Sequence, residues 1–436
     1  MAKRPDAPSA PELSRDLAHR ILSRLGEAGQ PPEVGIAHIN VGNETYLGVL
    51  EEEYLRPIAE EGRGSSFKLV QAYYGGGKTH FLHCVRERAW SLGFPTAIVG
   101  LSPDECPFDD PVRIYTAVAR EIAWPPRDPT VPPSRGIDEL LRAAAEERAA
   151  SAPAATVREW IVGQVRRVPA DSHSYRMAVA RFLLSLLDGE TDAEDILAAY
   201  LRGEAVPASD LKEFGVREEI QRHTAFRFLR SLIQVLQALG APGLFLGFDE
   251  LDRNLSFPVS RRRAIADNLR QLIDLCGREA LPGLLCLYAV PPEFLTRIVP
   301  EYVALQQRLE GPSTLSARSP QAVVIDLENL DLPQEELLVA IGEKILKVFL
   351  VATEARLDPK VQVPNLRLLA SAVLERTWDV AHRRAFVKAA VSLLTDQKEG
   401  RERRLKPADV EAFAARSAAA AEAPALGEAE DDFEDF

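Results

Sequence analysis

The sequence predicts an α/β fold with a parallel sheet, a helical insertion and a C-terminal helical lid. A glycine-rich loop joins an apolar strand pattern to a helix pattern, and a second apolar run ends in two acidic residues. Apolar strands without polar alternation are typical of parallel strands that helices cover on both faces. Because a glycine-rich loop between a strand and a helix is typical of P-loop proteins, we expect a P-loop αβα core.

Length and composition limit the possible classes of protein. A chain of 436 residues is long enough for roughly two to three domains. It has no signal-like N-terminus and no apolar run of about 18 residues, so we expect a cytoplasmic protein that does not enter a membrane. The four cysteines lack metal-ligand spacing and are expected to stay reduced. The formal net charge of -13 argues against a broad basic surface, so any DNA contact should be local.

Proline, glycine and helix patterns suggest four parts of the chain. The core should contain a helical insertion at about 134–215, which shows helix periodicity but no catalytic constellation. The predicted parts are a disordered start with an N-terminal helix and adenine-side linker (1–55), the P-loop core (56–330), the helical lid (331–416) and a disordered acidic tail (417–436).

The glycine-rich loop within FKLVQAYYGGGKTHFL has the residues that phosphate binding requires. Glycines allow successive backbone N–H groups to face an anion, and the following helix N-terminus adds further donors. A lysine at the outer phosphates and a threonine hydroxyl on Mg²⁺ complete the motif, although Ala72 replaces its usual first glycine. The alternative is a plain turn before a surface helix. The predicted binding residues are Gly75, Gly76, Gly77, Lys78, Thr79 and His80.

The second apolar run, Leu244 to Phe248, is followed by Asp249 and Glu250. Acidic residues at the carboxyl end of a parallel strand lie where such sheets bind ligands. We expect Asp249 to hold Mg²⁺ and Glu250 to polarise the attacking water. An acidic helix start after an ordinary strand is the alternative reading.

Further strands are expected around this pair of motifs. Tyr288 is the only polar candidate for a nucleotide sensor at the end of its strand. The expected strands are Thr96 to Leu101, Leu281 to Leu295 and Ala322 to Leu330, with a short extended piece at Ile36 to Val41. The expected helices include Ser14 to Leu25, Val112 to Ile122, Arg217 to Gly240 and Ser260 to Gly277.

The stretches PPEVGIAHINVGNETYLGVL, SSFKLVQAYYGGGKTHFL, GLFLGFDELDRN and RRAFVKAAVSLL are specific as a set. Together with the length of the chain, they resemble the BREX-system ATP-binding proteins, the BrxC/BrxD family of phage-defence gene clusters. The resemblance implies an AAA+ ATPase of initiator type that uses ATP and Mg²⁺. It also implies work on DNA, other BREX components such as a helicase as partners, and a homo-oligomer.

The same resemblance implies roles for three arginines. Arg308 is similar to an arginine finger that reaches the nucleotide of a neighbouring subunit, although a surface arginine at a helix end is equally consistent. Arg384 resembles a lid arginine that senses nucleotide, with Arg367 as the second candidate.

Two other classes of function remain open. Ala72 and the missing polar sensor favour a scaffold that binds nucleotide without hydrolysing it, whereas the Asp249–Glu250 pair favours an ATPase. A DNA-binding platform could use two basic runs, although a solvated surface explains them too. The runs are Arg261 to Arg263 and the set Arg401, Arg403, Arg404 and Lys406. The tail EAEDDFEDF resembles the acidic, Phe-terminated tips with which single-strand-binding proteins recruit partners.

Overall fold

A computed structural model describes residues 12–103, 106–249, 258–311, 313–376, 382–400 and 402–422. Four predictions therefore fall outside the described residues. They are the disordered start up to residue 11, the catalytic role of Glu250, the contribution of Arg401 to a basic run and the acidic tail from residue 423 onward.

The described residues form a sheet of five strands that are all parallel, in the order β2-β3-β4-β1-β5. Strands β3 and β4 are buried along their whole length, as their uninterrupted apolar sequences require. The predicted α/β fold with a parallel sheet is confirmed. The strands are β1 (Ser65–Gln71), β2 (Thr96–Gly100), β3 (Leu244–Asp249), β4 (Leu284–Val290) and β5 (Val324–Asp326).

Helices make up most of the rest of the described chain. Within the described residues, none of them combines the length and apolarity that a membrane span needs. The first nine are α1 (Arg15–Ala28), α2 (Glu44–Leu50), α3 (Arg56–Glu61), α4 (Lys78–Ser91), α5 (Pro111–Glu121), α6 (Ile137–Ser151), α7 (Ala154–Gly163), α8 (His173–Asp188) and α9 (Thr191–Leu201). The others are α10 (Ala208–Lys212), α11 (Ala225–Ala238), α12 (Val259–Gly277), α13 (Val303–Leu309), α14 (Gln334–Thr353), α15 (Pro359–Arg376), α16 (His382–Glu399) and α17 (Pro407–Glu422).

The described chain divides into two compact units. The first contains Thr45–Gln71 and Val85–Asp326, and therefore the whole sheet and the helices α5 to α13. The second contains residues 12–44, Ala72–Cys84 and the described residues from 327 to 422, and therefore α1 and α14 to α17. The glycine-rich loop follows β1 along the chain but belongs to the second unit.

Aromatic side chains build the core of the first unit beneath the sheet. The Tyr288 ring packs against Phe108 and Phe248, with ring centroids 4.9 Å and 5.8 Å away. Tyr288 is fully buried, and burial raises the pKa of its hydroxyl well above the usual range. The structure therefore places this residue, which the sequence offers as a sensor candidate, among core aromatic rings.

Helix α8 packs on α5 and α11 of the first unit through a second aromatic cluster. Tyr115, Tyr175 and Phe228 meet edge to face, with ring centroids 5.8 to 6.3 Å apart. The Tyr115 hydroxyl donates to the Leu201 carbonyl at 2.7 Å, so this contact also holds the end of α9.

The second unit begins with the predicted N-terminal helix, which is slightly longer than expected. The Ser14 hydroxyl accepts from the Leu17 N–H at 3.2 Å and caps α1, as expected for a serine at this position. The helix ends at Gly29, whose φ of +60° lies in the left-handed region.

Four local predictions are wrong. The strand expected at Leu281 to Leu295 is limited to Leu284–Val290 and is followed by a π-helical turn at Phe294–Ile298, and the strand expected at Ala322 to Leu330 is limited to Val324–Asp326. Ile36–His38 form a 3₁₀ turn where the sequence suggests an extended segment. The helix expected from Arg217 begins only at Ala225. Tertiary hydrogen bonds explain the late start, because the Ser174 hydroxyl accepts from the N–H groups of Arg217 and Glu218 at 3.0 Å each. These bonds hold the segment before α11 against the start of α8 in an irregular conformation.

A buried lysine interrupts the apolar sequence of β1. Lys68 is 2 % exposed, and its ammonium donates to the Tyr54 hydroxyl at 2.6 Å and to the Ala322 carbonyl at 2.9 Å. The Ala322 contact ties the segment that leads into β5 to β1. Burial lowers the pKa of Lys68 to about 8.

This pKa predicts how stability responds to pH. Because the folded chain releases the Lys68 proton near pH 8 and the unfolded chain holds it to about 10.5, raising the pH across this window stabilises the fold. The free energy of unfolding should gain on the order of 3 kcal/mol from this one group. Denaturant titrations at about pH 7.5 and about pH 10 measure the gain.

The matched variants separate Lys68 from other titrating groups. Lys68→Met should lack this gain, whereas Lys344→Met, at an exposed position of α14, should keep it. An equal pH response in all three proteins would contradict the prediction.

Candidate nucleotide-binding site

The loop from Ala72 to Gly77 has the backbone conformation of an anion-binding turn. Gly75 and Gly77 have φ of +73° and +94°, which only glycine adopts without strain. Ala72 is fully buried, and the non-glycine residues with positive φ in the described chain are Glu279 and Glu354. The first motif position therefore does not require glycine here, and the departure at Ala72 leaves the turn intact.

A glycine is required at position 76 for a different reason, because the loop has no space for a Cβ atom there. A Cβ atom at Gly76 would lie 2.5 Å from Glu328 Oε1, 2.9 Å from Ala72 Cβ and 3.0 Å from the Tyr73 carbonyl oxygen. Two of these contacts are to the loop itself, so a side chain could fit only if the loop opened.

Lys78 begins α4 and is 7 % exposed. Its ammonium donates to the Ala72 carbonyl at 3.0 Å and to the Tyr73 carbonyl at 3.2 Å. The cation thus lies inside its own loop, held by the first two carbonyls of the turn. Such a position suits an ammonium that binds phosphate oxygens in the same loop.

Thr79 and His80 follow in the first turn of α4, and both are partly buried. His80 Nε2 lies 3.2 Å from Asn40 Oδ1, and the Cys84 thiol donates to the same oxygen at 3.3 Å. Burial, followed by the positive charge of Arg383, lowers the pKa of His80 to about 4. At neutral pH His80 is therefore uncharged and fixes the segment before α2 to the phosphate-loop helix.

Asp249 ends β3 and is 5 % exposed. It pairs with Gly100 at the end of β2, and its carbonyl accepts from the Leu101 N–H at 2.8 Å. Because all five strands are parallel, Asp249 lies at the carboxyl-terminal edge of the sheet, where ligands bind in such folds.

Arg383 of α16 contacts the loop directly, although the sequence did not single it out. Its Nη1 donates to the Gly76 carbonyl and its Nη2 donates to the Leu327 carbonyl at 2.7 Å. Burial lowers the pKa of its guanidinium, and the neighbouring carboxylate of Glu328 partly offsets this effect. Its Nε is buried without a hydrogen-bond partner in the described part of the chain.

Arg384, the predicted sensor, also reaches the loop but holds its exposed side. It donates to the Tyr74 hydroxyl at 2.7 Å and to the Ala28 carbonyl at 2.9 Å. Its guanidinium also lies over the Tyr74 ring, 5.8 Å from the centroid. Arg384 therefore connects the tip of the loop to the end of α1.

Glu328 is a second contact that the sequence did not reveal. Its carboxylate accepts from the Tyr73 N–H at 3.0 Å. It follows β5 by two residues, beside the Leu327 carbonyl that Arg383 contacts. An acidic and a basic side chain thus hold the two ends of the turn.

The other two predicted arginines make contacts elsewhere. Arg308 of α13 forms a bidentate pair with Asp274, with Nη2 3.0 Å from Oδ2. Hydrogen bonding to Arg308 lowers the pKa of Asp274. Arg367 lies 3.7 Å from Glu335 on the exposed side of α15.

The first basic run is largely engaged within the first unit. Arg261 pairs with Asp109 at 3.0 Å, and Arg262 lies 3.5 Å from Glu301. In the second run, Arg403, Arg404 and Lys406 are exposed. The described residues contain no cluster of three or more His, Cys, Asp or Glu side chains that could form a metal site by itself.

The tight packing around Gly76 predicts a large effect of one methyl group. Gly76→Ala should weaken nucleotide binding by at least about 30-fold, because the loop must open to admit the methyl. Gly48→Ala is the matched control, since a Cβ there meets nothing within 4 Å. Calorimetric titration of both variants measures the effect, and equal affinities would contradict the packing argument.

A comparison with known protein families identifies the family of this chain. A family model described as BREX system ATP-binding protein BrxC/D matches residues 13–407, a range that includes the loop, Asp249, Glu328 and Arg383. Neither the curated proteins nor the solved structures include a match to the chain. Since the family model covers most of the sequence, the chain belongs to the BrxC/D family of BREX system ATP-binding proteins.

Proposed function

We propose that this ATP-binding protein hydrolyses ATP with Mg²⁺ and acts as a DNA-associated switch or motor in BREX phage defence. The observation that carries the proposal is the loop at residues 72–79, a glycine turn that closes on a buried lysine at a helix N-terminus. This arrangement fits a polyphosphate, because backbone N–H groups and one cation converge on a turn without intervening side chains.

Each of these residues has a separate proposed role in nucleotide binding. The backbone N–H groups of Gly75, Gly77, Lys78 and Thr79 would bind phosphate oxygens, whereas the Gly76 N–H donates to the Tyr73 carbonyl at 3.0 Å. Lys78 would exchange its two carbonyl contacts for the outer phosphates. Thr79 and Asp249 would hold Mg²⁺, which supplies positive charge against the phosphate oxygens. Glu250 is the proposed residue that orients the attacking water.

Arg383 is the lid arginine best supported for responding to nucleotide. It already contacts the Gly76 carbonyl, and its spare Nε–H could donate to a phosphate oxygen. Arg384, the sequence-based candidate, would instead support the loop through Tyr74. Both assignments are proposals that substitution of each arginine can separate.

Arg308 can act as the proposed arginine finger only if it exchanges its ion pair with Asp274 for the nucleotide. To reach the nucleotide of a neighbouring protomer, Arg308 would have to leave Asp274, to which two of its nitrogens are bonded. Formation of a homo-oligomer would have to compensate for the lost ion pair. This requirement links hydrolysis to assembly with further copies or with other BREX components.

A nucleotide-dependent scaffold is the second candidate. Two observations favour it, namely that Lys78 is bound to its own loop and that Arg308 is bound to Asp274. A protein in this state could bind ATP, recruit a helicase-like partner and hydrolyse nothing until that partner arrives. For DNA, the exposed Arg403, Arg404 and Lys406 are the better-supported basic run, since Arg261 and Arg262 are paired internally.

Steady-state ATP turnover of the purified chain, with and without double-stranded DNA, tests the two candidates. An ATPase should lose turnover by about 100-fold or more in Lys78→Ala and in Glu250→Gln, while Glu250→Gln still binds ATP. Stimulation by DNA would support the motor or switch. Tight ATP binding without turnover under either condition would favour the scaffold, and equal turnover in Glu250→Gln would remove Glu250 from its role.

A further inference from the structure

We propose that the Glu328 carboxylate, which lies beside the glycine-rich loop, lowers the affinity of this loop for nucleotide. The reduction is larger for nucleotides that carry more negative charge. The inference rests on the proposed use of this loop for ATP. It adds an affinity-determining residue that lies outside the glycine–lysine–threonine motif and just after β5.

The position of the carboxylate is defined by two independent observations. Glu328 accepts from the Tyr73 N–H at 3.0 Å, so one acidic oxygen is bonded to the backbone of the turn. The same Oε1 atom lies only 2.5 Å from the position that a Cβ of Gly76 would take. The carboxylate is therefore packed against the inner glycine of the loop.

Two cations contact the same turn as this carboxylate. Arg383 lies on the Gly76 and Leu327 carbonyls, and Lys78 lies on the Ala72 and Tyr73 carbonyls. The Glu328 carboxylate thus lies against the same turn that Lys78 and Arg383 contact.

The hydrogen bond by itself does not need a charge. A glutamine at position 328 has the same length and can accept from the Tyr73 N–H through its amide oxygen. What the carboxylate adds is repulsion toward any anion in the loop, and this repulsion is stronger in a partly buried site than in water. This repulsion makes the loop release nucleotide more readily. It also reduces the preference of the loop for ATP over ADP, because ATP carries more negative charge.

The test is a charge-dependent binding measurement on the full chain. Calorimetric affinities for ADP and ATP are measured without Mg²⁺ and at low salt, where the phosphate charges are unscreened. Glu328→Gln should bind ATP about tenfold more tightly than wild type and ADP about threefold more tightly, and added salt should reduce both gains.

Two control variants separate charge from contact. Glu328→Asp keeps the charge and should stay within about threefold of wild type for both nucleotides. Glu343→Gln removes one charge from an exposed position of α14 and should match wild type. Unchanged or weaker ATP binding in Glu328→Gln, or equal gains for ADP and ATP, would overturn the inference.

The same measurements separate this inference from the proposed function. If wild type binds neither nucleotide, or if Lys78→Ala binds as well as wild type, the proposed use of the loop is wrong and the inference falls with it. If wild type binds ATP through Lys78 but Glu328→Gln behaves as wild type, only the role of Glu328 is wrong.

Discussion

The close packing of Gly76 is the constraint on which the candidate site depends. The residue lies against Ala72, the Tyr73 carbonyl and the Glu328 carboxylate, and its own carbonyl accepts from Arg383. These contacts leave no room for a side chain and hold the turn in one shape. A phosphate loop is useful only when its N–H groups already point at the ligand, so this packing supplies preorganisation. The residues that provide it come from the second unit, which also contains the loop.

Electrostatics in the two units serve different purposes. In the first unit, Lys68 donates to the Tyr54 hydroxyl and to the carbonyl of Ala322, which stabilises the approach of β5 to β1. This buried cation is satisfied by neutral acceptors, and its pKa is lowered to about 8 accordingly. In the second unit, charged side chains contact the loop that we propose binds an anion. There we propose that the balance between Arg383 and Glu328 sets the affinity of the loop for phosphate.

The strands and the glycine motif could be predicted from sequence because they are local patterns. Continuous apolar runs mark β3 and β4, and the spacing of Gly77, Lys78 and Thr79 marks the loop. The supporting residues could not be found this way. Arg383 and Arg384 are neighbours in the same helix pattern, and only tertiary contacts assign one to Gly76 and the other to Tyr74. Glu328 is 255 positions from Tyr73 in the sequence, so no local pattern relates them. The late start of α11 has the same cause, since Ser174 binds the backbone at Arg217 and Glu218.

Hydrogen–deuterium exchange with and without ATP would test the central claim most directly, because it reports on backbone N–H groups one segment at a time. The account predicts that ATP slows exchange in residues 72–79 and also changes exchange at the start of α16, where Arg383 contacts the Gly76 carbonyl. Protection of both segments would mean that the loop binds the nucleotide and that its supporting arginine responds. If ATP binds while exchange in residues 72–79 is unchanged, the nucleotide binds elsewhere and the account is wrong.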